Sequence, residues 1–119
     1  MLNTKEKTQA VVSALEDVKA LDIQVIDTSK LSPLFERMVI ASAQSTRQTK
    51  ALATNVVVTL KELGETVLST EGEDSGEWVL VDLGEVVVHI MQPAVRAYYN
   101  LEELWDARPP ARAVANAKK

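Results

Sequence analysis

Two short runs of β-branched and aromatic residues, 78–83 and 85–91, most constrain how this chain of 119 residues can fold. They are joined at Gly84 and follow an acidic, glycine-containing turn at residues 71–77. Such runs, bounded by turn residues, are typical of paired antiparallel strands. Residues 71–91 contain six acidic side chains and no lysine or arginine, so the hairpin is predicted to have a negative surface.

The rest of the pattern predicts a three-layer α/β domain. Apolar spacings of three and four indicate helices, and alternation or compact apolar runs indicate strands. In chain order we expect a helix at 5–20, a strand at 22–28, one helical turn at 34–36, a strand at 37–43, a helix from the Ser45–Gln48 capping box to Gly64, a strand at 66–69, the hairpin, and a helix from Pro93. About twenty residues separate the strands at 37–43 and 66–69, which predicts a right-handed parallel βαβ crossover. The result is a mixed five-stranded sheet flanked by helices.

Charge divides the chain into a single domain at 1–106 and a basic tail at 107–119 that we expect to be disordered. The tail contains four basic residues and no acidic one, whereas the domain has nine basic and seventeen acidic residues, a balance of −8. Phosphate binding needs lysine and arginine. The domain is therefore a poor general binder of nucleic acid and is better suited to a basic protein partner.

The chain contains no cysteine, which excludes disulfides, thiolate catalysis and cysteine-based metal sites. Its first ten residues lack the apolar run of a signal peptide, and no stretch approaches the ~20 apolar residues of a membrane span. We therefore expect a cytoplasmic protein that is not bound to membranes.

Catalytic patterns are weak in this sequence. It has no glycine-rich phosphate loop and no nucleophile elbow, and the acidic turn lacks the ligand order of a calcium loop. His89 is the one histidine, and it is either a ligand or proton shuttle, or a half-buried polar residue hydrogen-bonded within the sheet. We predict no cofactor, no metal site and no enzymatic activity.

Trp78 is the more informative aromatic residue, because it begins a strand directly after the acidic turn. It either packs in the core or anchors a protein interface. Strand alternation places Trp78, Leu80 and Asp82 on one face, and His89 and Met91 on one face of the neighbouring strand. This predicts an apolar patch with an acidic rim.

Residues 71–105 closely resemble the ribosomal silencing factor family, also called Iojap, and the resemblance extends over roughly residues 8–105. The matching positions are Glu71, Gly72, Trp78, Asp82, Val86–His89, Arg96, Tyr99, Leu101, Glu102, Leu104 and Trp105. The resemblance implies a nucleotidyltransferase-like fold, although the sequence lacks the Gly-Ser and paired-Asp catalytic elements of those enzymes.

By resemblance, the protein is expected to bind the large ribosomal subunit through its fourteenth protein, to block joining of the small subunit, and so to repress translation when nutrients are short. A homodimer of the free protein is also expected. The candidate contact residues are Trp78, Leu80, Asp82, His89 and Met91, with Glu71, Glu73 and Glu77 steering the encounter and Arg96 and Tyr99 contributing from the final helix. One alternative stays open, a residual nucleotidyltransferase or nucleotide-binding enzyme using Asp82 and Glu85. Binding of ribosomal RNA by the basic tail is a further possibility that would supplement the ribosomal function.

Overall fold

A mixed five-stranded sheet forms the centre of the fold. The computed structural model describes the backbone of residues 2–105 and the side chains of residues 2–103. Its elements are α1 (Thr4–Asp17), β1 (Leu21–Asp27), β2 (Arg37–Ser42), α2 (Thr46–Glu62), β3 (Ser69–Glu71), β4 (Trp78–Asp82), β5 (Val86–Met91), α3 (Pro93–Tyr99) and α4 (Leu101–Trp105). The predicted α/β class is confirmed, and the predicted tail at 107–119 lies outside the described residues.

The strand order is β1-β2-β5-β4-β3. Among the strands of the described residues, only β2 and β5 pair in parallel, and the other three pairs are antiparallel. From these pairings β3 runs in the same direction as β2, as the predicted crossover through α2 requires. The two strands are not neighbours, however, because the β4–β5 hairpin is inserted between them. The hydrogen-bonded parallel partner of β2 is β5.

Three local predictions were wrong. The segment between β1 and β2 forms turns and bends and has no helical turn at 34–36. The third strand begins at Ser69 rather than at residue 66. The final helix is divided at Asn100, whose left-handed φ of 50° ends α3 before α4 begins, because a residue in that conformation cannot continue a right-handed helix.

The helix starts follow ordinary capping chemistry. Asn3 and Glu6 form a complete capping box at α1. At α2 only half of the predicted box is present: Ser45 Oγ accepts from the Gln48 backbone N–H at 3.1 Å. The Gln48 side chain instead donates to the carbonyls of Val18 and Lys19, each at 3.3 Å. This amide therefore ties α2 to the end of α1.

The sheet has two unequally covered faces. Helices α1 and α2 pack on the first face, where they enclose the main core: Val11, Leu15, Leu52, Val56 and Leu60 against Val39, Val79, Val81, Val88 and Ile90. On the second face a smaller buried cluster of Met38, Ile40 and Met91 lies beneath Ile26, Phe35, Trp78, Val95 and Leu101. The predicted three-layer arrangement is confirmed, and within the described residues the third layer covers only part of its face.

Candidate protein-binding site

The hairpin register brings the predicted site residues together on the second face. Trp78 lies opposite Met91 and Leu80 lies opposite His89. Asp82 lies opposite Val87 at the far end of the pair. Opposite residues in an antiparallel pair point to the same side of the sheet. The register therefore places these side chains on one face, as strand alternation predicted.

A cleft of about 390 Å³ opens on this face beside the incomplete helical layer. We call it the Trp78 cleft. Its lining residues are Leu34, Phe35, Met38, Trp78, Leu80, Asp82, Gly84, Val87, His89 and Leu101. Most of these side chains are apolar, and only three of them carry polar atoms. A mostly apolar concave surface with a few polar groups is the usual form of a binding site.

Trp78 is held in place from two sides. Its indole Nε1 donates a hydrogen bond to Nδ1 of His89 at 2.9 Å. The ring of Tyr99 lies tilted against it, with 4.8 Å between ring centroids. The side chain is half-buried against the second cluster while it also lines the cleft. One part of the side chain therefore packs in the interior and the rest lines the cleft, and its role as an anchor for a partner stays a prediction.

His89 is the polar residue beneath Trp78, and 9% of it is exposed. Burial lowers its pKa from 6.5 to about 4, because a charged imidazolium is poorly solvated there. The ring is consequently neutral at physiological pH, and its Nδ1 can accept a hydrogen bond from the indole N–H. The structure agrees with the interpretation of His89 as a polar residue hydrogen-bonded within the sheet.

The acidic turn is packed closely against the start of β4. Glu71, Glu73 and Glu77 are all exposed, and Glu71 lines a smaller depression that adjoins the cleft at Trp78. Gly72 has a φ of 85°, and a Cβ at this position would lie 2.1 Å from the Trp78 carbonyl oxygen. Only glycine permits this close approach, so the turn stays packed against the Trp78 backbone, with Glu71 beside the depression that Trp78 also lines.

One predicted contact residue, Met91, is interior, and another, Arg96, makes polar contacts within the domain. Met91 is 0% exposed in the second cluster, so its side chain has no surface with which to touch a partner. Arg96 bonds to Glu102 at 2.7 Å and to Ser42 at 2.8 Å, which fastens α3 and α4 to β2. The contact role of Met91 is therefore corrected to support of the face, whereas that of Arg96, which is partly exposed, stays a prediction. Tyr99 differs from both, because it is 53% exposed beside Trp78.

The sequence reasoning missed the contribution of the β1–β2 loop. Leu34, which is 80% exposed, and Phe35 both line the cleft opposite the hairpin. The available signal was the adjacent pair Leu34 and Phe35, in a loop that also contains the exposed Leu31. Nothing in the local pattern indicated that this loop lies over the second face of the sheet.

The acidic couple considered for nucleotide chemistry does not form a common site. Asp82 accepts from the Gly84 N–H at 2.9 Å, which is a local turn interaction. Glu85 pairs with the buried Lys7 at 2.6 Å, and that ammonium group lowers the pKa of Glu85. Lys7 also pairs with Glu65 at 3.1 Å. Within residues 2–103 no group of three or more histidine, cysteine or acidic side chains is placed to hold a metal ion.

Fold and face together define a small α/β domain with an acid-rimmed, aromatic surface of the kind that binds other proteins. A family model described as "Ribosomal silencing factor during starvation" matches residues 2–119. This chain belongs to the ribosomal silencing factor family, and the resemblance seen in the sequence is confirmed.

Known relatives agree with this assignment. Ribosomal silencing factor RsfS of Chromobacterium violaceum is 52% identical over 117 residues, which cover 98% of this chain and 96% of the relative. A mouse protein named mitochondrial assembly of ribosomal large subunit protein 1 is 34% identical over 110 residues, covering 90% of this chain and 48% of that protein. A crystal structure of a Chromobacterium violaceum protein, also 52% identical, superposes with a TM-score of 0.88 over 92% of this chain and 91% of that chain.

None of the helices in the described part of the chain is both long and apolar enough to cross a membrane.

Proposed function

We propose that this protein represses translation by binding the large ribosomal subunit through its fourteenth protein and blocking the joining of the small subunit. The observation that carries the proposal is the Trp78 cleft, a half-covered apolar face whose tryptophan is oriented before any partner arrives. A preorganised aromatic anchor loses little conformational freedom on binding.

Charge supports a basic protein as the partner. Glu71, Glu73 and Glu77 project from the turn that is packed against Trp78. Asp82 lines the cleft itself. An acidic rim around an apolar centre attracts a basic surface, accelerates its encounter and disfavours acidic competitors.

Each candidate residue has a distinct role in this proposal. Trp78 and Leu80 supply the apolar contact, and Tyr99 extends it from α3. Asp82 and the turn glutamates provide charge complementarity. His89 and Met91 support the face from below, and Arg96 holds the helices at its edge.

Steric exclusion requires occupancy of a surface and no bond-making step. We therefore propose that the protein acts without catalysis or cofactor, in the cytoplasm. A homodimer of the free protein that covers the same apolar face is part of the proposal. The nucleotide-binding alternative has no supporting observation among the described residues, because Asp82 is engaged in a local turn and Glu85 in an ion pair with Lys7 of α1.

Co-sedimentation with separated ribosomal subunits tests the binding step. We expect the wild-type protein to travel with the large subunit and Trp78→Ala to lose at least about 30-fold in affinity, since a buried aromatic anchor contributes about 2 kcal/mol or more. Val58→Ala is the matched control, because Val58 is an exposed apolar residue on α2. Circular dichroism and thermal melting check that both variants are folded. A folded Trp78→Ala protein that binds as tightly as Val58→Ala would contradict the proposal.

A further inference from the structure

The hydrogen bond from Trp78 determines which nitrogen of His89 carries the proton. Indole Nε1 is a donor only, so Nδ1 of His89 must be the acceptor in their 2.9 Å bond. A neutral imidazole has one donor and one acceptor nitrogen. The proton of the neutral ring therefore lies on Nε2.

That proton is directed at the surface of the protein. Within the described part of the chain, every buried side-chain nitrogen and oxygen has a hydrogen-bond partner. Among the described residues, none accepts a hydrogen bond from Nε2 of His89, so this donor has no partner within the described part of the domain. His89 lines both the Trp78 cleft and the adjoining depression, so the geometry points the unpaired Nε2–H toward this space.

We propose that His89 is a specificity-determining residue of the cleft, whose Nε2–H donates to a backbone carbonyl of the docked partner protein. Trp78 and Asp82 are the other lining residues with polar side chains. The indole N–H of Trp78 is already committed to His89, and the carboxylate of Asp82 only accepts. His89 thus supplies the free side-chain donor among the residues that line the cleft. This inference rests on the proposed function and adds to it the chemistry of recognition.

The surroundings determine the kind of acceptor. Asp82 lies in the same cleft and Glu71 in the adjoining depression, so a partner carboxylate at Nε2 would be repelled. A neutral carbonyl has no such penalty. Leaving a desolvated carbonyl unpaired costs about 1–3 kcal/mol, so one fixed donor on an apolar floor discriminates between docked orientations of the partner.

Nitrogen-15 NMR of the imidazole tests the tautomer in the free protein, independently of any ribosomal partner. We expect the spectrum of a neutral ring with its proton on Nε2 and Nδ1 unprotonated at pH 7. On addition of the purified fourteenth protein of the large subunit, the Nε2–H resonance should shift and exchange more slowly with water. A proton on Nδ1, or an Nε2–H signal unchanged in a formed complex, would overturn the inference.

A matched pair of variants separates the two nitrogens. The shorter amide of His89→Asn retains an acceptor near the position of Nδ1 but does not reach the position of Nε2. His89→Gln places an amide donor near the position of Nε2. We expect His89→Asn to leave the Trp78 indole N–H resonance close to its wild-type position while the affinity for the partner falls about tenfold. His89→Gln should shift the indole resonance and recover part of the affinity.

The results of these experiments distinguish a failure of the His89 donor role from a failure of the proposed function on which it rests. Wild-type affinity in a folded His89→Asn protein would refute the donor role and leave ribosome binding intact. If the wild-type protein binds neither the large subunit nor its fourteenth protein, the proposed function and the docking role of His89 both fail. The tautomer measured in the free protein would still be valid in that case.

Discussion

The two faces of the sheet are covered by helices to very different extents in this protein. On the first face α1 and α2, of 14 and 17 residues, enclose a fully buried core. On the second face α3 and α4, of seven and five residues, cover only part of the surface. In our proposal, stability and binding are divided between the faces: the closed face holds the fold together, and the half-covered face is the proposed surface for a partner.

A core truncation on the closed face should have the largest effect on stability. Leu60 is fully buried beneath the sheet, so Leu60→Ala removes packed atoms and leaves a cavity, at a cost of about 2–5 kcal/mol. Leu80→Ala on the half-covered face should cost less than about 2 kcal/mol, because its side chain is only partly buried. Urea unfolding measures both. Equal losses of unfolding free energy in the two variants would contradict the proposed division of roles between the faces.

The acidic turn offers a sharper test with its own control. Gly72→Ala forces a Cβ to within 2.1 Å of the Trp78 carbonyl oxygen and strains a φ of 85°. Gly64→Ala strains a similar φ of 87° where no atom lies within 4 Å. We expect about 1 kcal/mol of lost stability for Gly64→Ala and at least about 2 kcal/mol for Gly72→Ala, together with weaker partner binding for Gly72→Ala alone. Identical melting curves would show that the close approach is unimportant.

His89 gives the half-covered face a pH dependence of its own. Its pKa is about 4 in the folded protein and 6.5 ordinarily, so between these values the unfolded chain binds a proton that the folded chain does not. The stability that the folded protein has while His89 is neutral in both states is therefore fully present above pH 6.5, and it is lost as pH falls toward 4. From pH 7 to pH 5 we expect a loss of about 2 kcal/mol at 1.36 kcal/mol per pKa unit, measured by urea unfolding. His89→Asn should remove this dependence of the unfolding free energy on pH. An unchanged dependence would show that other titratable groups cause it.

The smallest effect should come from the acidic rim. Replacing Glu71, Glu73 and Glu77 by glutamine should slow association with the large subunit several-fold at low salt, and the difference should shrink as salt is added. A control with Glu16→Gln, Asp17→Asn and Glu62→Gln removes the same charge from the exposed ends of α1 and α2. Stopped-flow association rates compare the two. Equal slowing by both sets of substitutions would indicate that the association rate depends on net charge and not on the position of the acidic rim.

The sequence predicted those features that depend on local periodicity. Alternation at Trp78 to Asp82 identified the shared face of β4, and the serine at position 45 marked the start of α2. Strand order could not be predicted, because a local pattern does not indicate that β5 pairs with β2 and separates it from β3. The roles of Met91 and Leu34 were missed for the same reason, since their burial and exposure depend on where α3 and the β1–β2 loop lie.

The nucleotidyltransferase-like character of the fold stays a prediction, as does binding of ribosomal RNA by the tail. Removing residues 107–119 addresses the tail directly. If the tail contributes phosphate contacts, its removal should reduce the salt dependence of large-subunit binding.

The most direct test of the central claim is a subunit-joining experiment on sucrose gradients. Purified small and large subunits are mixed under joining conditions with wild-type protein, with Trp78→Ala or with Val58→Ala. The account predicts that wild-type protein and Val58→Ala reduce joined ribosomes and increase free subunits, whereas Trp78→Ala leaves joining close to the level without added protein. Undiminished joining while wild-type protein occupies the large subunit would contradict repression by exclusion.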